Sequence, residues 1–292
     1  MISLVLPKGS LEAATFRLFE DADLPVVRAS DRDYGATIAD PRISKVKILR
    51  PQEIARAVEQ GYFDLGITGL DWIREPEADV HEVMDLGPGG REIGGVVRIV
   101  VAVPQSSPID EAAKLPGGSR ISTELPNLTR AYFDSLGVPV EVSISYGATE
   151  AKIPELADAI VDSTETGSSL RRAGLKVIGV ILESSTKLIA NPLAWADETK
   201  RREIDDVTTL LRGALTARGK VLLKLNVHES KMKAVIEVLP GMKSPTVSHL
   251  YGTDYFAVEA VAIRAGINLL IPELKKRGAE DILEIPITKI VV

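Results

Sequence analysis

The chain has 292 residues, a formal net charge of −6, 45% hydrophobic and 26% charged residues, and no cysteine. That length exceeds one usual core and predicts two or three domains. The missing cysteines exclude disulfides, thiolate metal sites and thiol nucleophiles, and the acidic balance without a basic run argues against binding nucleic acid through its phosphates. The three histidines, His81, His228 and His249, show no ligand spacing. No apolar run approaches the roughly 20 residues of a membrane span, and the opening residues lack a basic and apolar leader pattern, so a cytoplasmic location is expected.

Ile2–Leu6 reads as a strand, Ser10 as the cap of a helix over Leu11–Glu20, and Val26–Ala29 as a second strand. Thr37–Ile38 and Lys45–Leu49 read as a hairpin around Asp40 and Pro41. Pro51 opens a helix with Ile54, Ala55 and Val58 on its apolar face, and Gly61 ends it. Asp64–Thr68 is a strand, with a short helix at Asp71–Arg74. The glycines around Arg91 (Gly89, Gly90, Gly94 and Gly95) form either a mobile loop or a plain linker, and the run Gly95–Val103 reads as a strand. Next come a helix at Pro108–Lys114, a strand at Arg120–Thr123, a helix at Pro126–Leu136 closed by Gly137, and a strand at Val140–Ile144. Lys176–Leu182 and Lys187–Ala190 are β and are expected to return to the first domain. Glu198–Arg218 is one long helix, with Ile204, Val207, Leu211 and Leu215 at helical spacing. The last part reads strand Lys220–Val227, helix Ser230–Leu239, strands Thr246–Leu250 and Tyr255–Ile263, helix Ile267–Arg277 and strand Ile282–Val292. That order, βαββαβ, predicts a ferredoxin-like domain. The loop Pro240–Pro245 is placed to shape an effector pocket.

The segment Asp158–Leu170 carries the most chemistry. An apolar strand leads to Asp162, then to Ser163, Thr164, Glu165, Thr166, Gly167, Ser168 and Ser169, and a helix opens at Ser168. Backbone N–H groups at a helix start, a close-approaching glycine and several hydroxyls make a seat for a sugar phosphate, with Asp162 placed for ribose hydroxyls. A polar turn with a Ser or Thr cap is the plainer alternative. Lys8 and Arg50 each end a strand, where ligands of α/β sheets gather, and both can neutralise phosphate; either can also be a surface charge. Arg98 lies inside an apolar run and must be paired or face a cleft. Trp72 and Trp195 are read as core or interface residues.

Several stretches together resemble the long form of the ATP phosphoribosyltransferase family. They are Leu4–Leu11, Ile48–Arg50, Asp64–Gly69, Pro126–Arg130, Gly147–Glu150 with Leu156–Asp162, Glu165–Leu170, Leu239–Gly241 and Ser244–Thr246. The family often has threonine where this chain has Ser169, which keeps the hydroxyl. The resemblance spans essentially the whole chain. It implies an α/β bilobal core of the periplasmic-binding-protein type, with one lobe at 1–93 and 178–212 and the other at 94–177, and a ferredoxin-like regulatory domain at 213–292. It implies transfer of phosphoribosyl from phosphoribosyl pyrophosphate to N1 of ATP, with inversion, as the first step of histidine biosynthesis. On that reading Lys8, Arg50 and Arg98 are catalytic. Glu150, Asp162, Ser163, Thr164, Glu165, Thr166, Gly167, Ser168, Ser169 and Leu170 bind phosphoribosyl pyrophosphate. Gly9, Ser10, Gly69 and Asp71 bind ATP, and Asn226, Thr246 and Ser248 bind the inhibitor histidine. Mg2+ is implied as cofactor, held mainly by substrate, and a homo-oligomer, hexamer or dimer, is implied. The alternatives are a non-catalytic bilobal binding module or a regulatory paralogue.

Overall fold

In a computed structural model, residues 1–87, 97–240 and 244–292 are described; the loop around Arg91 and the tip of the 240–245 loop lie outside them. The chain divides into two compact units, one built from 1–20 and 24–208, the other from 21–23 and 209–292.

The first unit opens with β1 (Ile2–Pro7), α1 (Glu12–Asp21), β2 (Gly35–Ala36), β3 (Ile43–Leu49), α2 (Pro51–Glu59), β4 (Leu65–Gly69), α3 (Leu70–Arg74) and β5 (His81–Asp85). β1 is flanked by β3 and β4, both parallel to it, so the carboxyl ends of three strands share one edge. β1 is almost wholly buried because its apolar run is covered on both faces. The chain then builds a second sheet from β6 (Val97–Pro104), β7 (Ser119–Thr123), α4 (Pro126–Leu136), β8 (Val140–Ile144), β9 (Ala159–Thr164), α5 (Ser168–Arg172) and β10 (Leu175–Ser184), in the order β10-β6-β9-β7-β8. It returns with β11 (Thr186–Ala190), which completes the first sheet as β2-β3-β1-β4-β11-β5. Only Ser185 separates β10 from β11, and the first and last strands of the second sheet pair Val97 with Ser184. α6 (Pro192–Ala196) and α7 (Glu198–Ala217) follow.

The second unit contains β12 (Lys220–His228), α8 (Met232–Ile236), β13 (Thr246–His249), β14 (Tyr255–Ile263), α9 (Ile267–Lys276) and β15 (Ala279–Pro286). Its antiparallel sheet runs β13-β14-β12-β15, the ferredoxin-like order. Val221, Leu223, Leu225 and Val227 alternate into its core with Val258 and Leu274. The expected fold class, two α/β lobes plus a βαββαβ domain, is the one observed.

Several elements differ from the sequence reading. Ser10 does not cap α1. Gly9–Leu11 form a 3₁₀ turn, and the Glu12 carboxylate accepts the Gly9 N–H at 3.3 Å. Val26–Ala29 shrinks to one bridge between Val27 and Thr37, since Pro25 supplies no N–H to extend it. The hairpin strand is Gly35–Ala36 rather than Thr37–Ile38. Pro108–Lys114 forms one 3₁₀ turn at Ala112–Lys114, too short to offset helix nucleation. Lys176–Leu182 does not return to the first sheet, because β10 pairs with β6 along its whole length. α8 is five residues long, and the final strand ends at Pro286. β5 and α6 had no counterpart; β5 is an edge strand of mixed polarity, while α6 is capped by Asn191, whose Oδ1 accepts the N–H groups of Leu193 and Ala194.

Candidate active site

The two sheets of the first unit face each other across a cleft with two adjoining cavities, of about 440 and 190 Å³, that share Ser10, Pro51, Asp71, Trp72 and Ser163. Ser10, Gly69, Asp71, Ser163, Thr164, Glu165, Thr166, Ser168 and Ser169 line the larger; Lys8, Gly9, Arg50 and Asp162 line the smaller. Ser10 and Ser169, 159 positions apart in sequence, thus meet because strand carboxyl ends from both sheets converge there.

The first-sheet wall is cationic. Lys8 follows β1, and its Nζ lies 4.2 Å from the centre of the Tyr34 ring. Arg50 follows β3 in extended backbone, with Pro51 as first residue of α2. Gly9 has φ +87°, and a Cβ there would lie 3.9 Å from the Arg50 guanidinium. At the end of β4, a Cβ on Gly69 would fall 2.2 Å from Asp71 Oδ1, so any other residue must displace that carboxylate. Asp71 itself is buried, which pushes its pKa up, against the hydroxyl of Ser184 that donates to it at 2.7 Å.

The second-sheet wall is a hydroxyl-rich loop. β9 runs through Asp162 to Thr164, further than the apolar run alone implied. The buried Thr164 Oγ1 accepts the Gly167 N–H at 2.9 Å, and Thr166 Oγ1 bonds Ser168 Oγ at 3.0 Å. Gly167, at φ +71°, turns the chain into α5, whose first-turn N–H groups lack intrahelical acceptors. Leu170 is buried among Val100, Ala102, Ile160 and Leu175, so its side chain anchors the loop.

Asp162 is pushed up to about 6, mainly by burial and further by the charges of Glu150 and Glu124; the Ser163 N–H, donating to Oδ1 at 2.7 Å, opposes this. Glu150 lines neither cavity. It rides on a 3₁₀ turn at Thr149–Lys152 that is pinned by Ser145, whose Oγ accepts from Lys152 Nζ at 2.6 Å and bonds Thr149 Oγ1 at 2.8 Å. Arg98 lines neither cavity; it pairs with Thr164 across β6 and β9, and Val100, two residues on, pairs with Asp162, so its side chain shares the sheet face of those two cavity residues. The sequence reading missed Glu124, Leu125 and the Ser184–Thr186 segment on the cavity walls, and read Trp72, which lines both cavities, as a core or interface residue. Hydroxyls at Ser184–Thr186 were a weak available signal; Glu124 carried none.

In the second unit Asn226, Thr246 and Ser248 lie on one face of the sheet. Asn226 and Ser248 both pair with Ala257, from opposite sides, and Asn226 Nδ2 donates to Asp281 at 2.9 Å.

A family profile described as ATP phosphoribosyltransferase matches residues 50–213, and one described as HisG, C-terminal domain, matches 217–289. A curated ATP phosphoribosyltransferase of Desulforudis audaxviator is 48% identical over 99% of both chains. The chain belongs to the ATP phosphoribosyltransferase family. It is therefore a transferase of histidine biosynthesis. An ATP phosphoribosyltransferase of Solibacter usitatus is 47% identical over the full length of both chains. Among solved structures, the ATP phosphoribosyl transferase (HisG:HisZ) complex from Thermotoga maritima aligns with TM-score 0.61 and 26% identity, over 72% of this chain and 96% of that one. Among the described residues no helix is long and apolar enough to cross a membrane.

Proposed function

We propose that this member of the family transfers the 5-phosphoribosyl group of phosphoribosyl pyrophosphate to N1 of ATP, releasing pyrophosphate, as a cytoplasmic enzyme inhibited by histidine. One observation carries the reading: the cleft sets Lys8 and Arg50 against Asp162 and the 163–169 hydroxyl loop. That is a cationic wall for a diphosphate opposite a seat for a ribose 5-phosphate. The bond from ribose C1 to the pyrophosphate oxygen breaks as the bond from C1 to adenine N1 forms, with inversion and oxocarbenium-like charge on the sugar. No protein nucleophile is needed; positioning and neutralisation of the leaving group suffice. In this reading Asp162 accepts from the ribose hydroxyls, with Glu150 close enough to bias its charge. The loop from Ser163 to Ser169 donates to the 5′-phosphate. Lys8 and Arg50 receive the pyrophosphate, and Gly9, Ser10, Gly69 and Asp71 form the ATP wall.

Mg2+ fits the oxygen chemistry near Asp162, Glu150 and Glu124, where burial first and the two neighbouring charges second push the Asp162 pKa up. Among the described residues no group of three acidic or histidine side chains could hold a metal alone. The ion would therefore be carried largely by the diphosphate, and it supplies charge neutralisation there. We read 213–292 as the regulatory domain, with Asn226, Thr246 and Ser248 toward histidine, in a homo-oligomer.

The test is absorbance of phosphoribosyl-ATP with ATP, phosphoribosyl pyrophosphate, Mg2+ and pyrophosphatase, with and without histidine. Signal that histidine suppresses supports both parts. Signal without suppression removes the effector assignment. No signal from folded protein removes the reaction and leaves a binding or regulatory module.

A further inference from the structure

α3 is a short helix of the first sheet that grips both sheets. Ile73 is buried with Val5, Ile54 and Val58 of the first. Trp72 packs on the apolar cluster of the second, which holds Ile99, Ile121 and Phe133. Glu75, directly after α3, goes further. Its Oε1 accepts the N–H of Asn127 at 2.9 Å, its Oε2 the N–H of Leu128 at 3.0 Å, and its carbonyl the side-chain amide of Asn127 at 3.0 Å.

Those N–H groups belong to the first turn of α4, which has no intrahelical acceptor for them. Leu125, at the N-cap, offers no side chain to do it. A residue 52 positions upstream therefore caps the helix, and a carboxylate there also meets the positive end of the helix dipole. Glu75 is only 8% exposed, so water competes poorly for the bonds. Both ends of this link lead directly into the cleft: Asp71 and Trp72 precede Glu75, Glu124 and Leu125 precede α4, and all four line the smaller cavity.

We infer that Glu75 is a positioning residue for the transferase reaction. It clips α4 to α3 and so fixes the distance between the Lys8–Arg50 wall and the Asp162–Ser169 wall before substrate arrives. Its catalytic consequence rests on the cleft reading above; the clip itself does not.

The absence of cysteine permits a direct test. Gln60→Cys and Ala131→Cys place spin labels at exposed positions, one just after α2 and one on α4. Distances are measured in the unliganded full chain. One narrow population is expected with Glu75. Glu75→Gln keeps the shape but turns an amide donor toward backbone N–H groups. It is expected to shift or broaden the distances and to lower kcat/KM about 10- to 100-fold, chiefly through kcat, as misplaced reacting groups do. Asn127→Ala, which removes the side-chain bond to the Glu75 carbonyl and a long one from Arg130 at 3.5 Å but keeps both carboxylate bonds, should move both readouts the same way by less, and serves if Glu75→Gln fails to fold. Unchanged distances overturn the inference, as does a shift that leaves kcat/KM intact. Because the distances need no substrate, an inactive parent chain would sink the assigned reaction and still leave the clip decided.

Discussion

Ser184 Oγ donates to Asp71 Oδ1 at 2.7 Å and accepts the Asp71 backbone N–H at 3.2 Å, tying the helix after β4 to the last strand of the opposite sheet. The carboxylate is held where the Gly69 α-carbon leaves room for it and for nothing else.

Gly69→Ala should be costly for that reason. The added Cβ would meet Asp71 Oδ1 at 2.2 Å and Cγ at 3.2 Å. Relieving that overlap must move Asp71 or the end of β4, at a cost of about 1–3 kcal/mol. Thermal unfolding should show the loss, and kcat/KM for ATP should fall with it.

Asp162→Asn should separate stability from activity. In the folded chain the carboxyl has a pKa near 6, above its ordinary 3.8. The folded state thus binds the proton more tightly than the unfolded one. Ionised Asp162 costs stability above about pH 6, and the cost disappears as pH falls through 6 toward 3.8. The asparagine variant should therefore be more stable at pH 7, by on the order of 2 kcal/mol, and equal to the parent near pH 3.5. Its use of phosphoribosyl pyrophosphate should collapse at every pH. Urea titrations across pH 3.5–7 with parallel kinetics check both; near-parental kinetics would remove Asp162 from the ribose site.

Asp64 has the opposite sign. It accepts from Ser3 N and Oγ at 2.8 Å each and from Lys200 Nζ at 2.6 Å, and these bonds hold its pKa below the ordinary value despite burial. Its contribution is complete above the unfolded pKa and fades as pH drops through the folded one. Asp64→Asn should destabilise the chain by about 1–3 kcal/mol at pH 7, with the difference shrinking in acid. Chemical unfolding at pH 7 and pH 3 reads it directly.

Thr164→Val keeps the volume of a buried side chain but removes the acceptor for the Gly167 N–H. The loop should lose its fixed turn into α5, raising KM for phosphoribosyl pyrophosphate about tenfold with a smaller effect on ATP. Initial-rate kinetics with each substrate varied would show whether the effect is that selective.

Punctuation made much of this chain legible. Pro126 and Gly137 bracket α4 at both ends, and Gly167 marks the start of α5, because each fixes a backbone angle locally. The loop from Ser163 to Ser169 could be read for the same reason: its residues are contiguous. What escaped depends on partners distant in sequence. The pairing of β10 with β6 rather than with the first sheet follows from which free edge it meets, and no window around Lys176 encodes that. Glu75 looks like any acidic helix end until Asn127 and Leu128 arrive beside it.

The pairing of Val97 with Ser184 brings the two ends of the second sheet side by side. A segment whose entry and exit are neighbours can be spliced into a host strand order, or lifted out, without stretching what it interrupts. The first sheet then reads as an uninterrupted scaffold with a guest. Residues 97–184 carry an apolar core of their own, and a graft between relatives should keep as its partner only α3, whose Trp72 packs on that core, and the adjoining Glu75, which caps α4.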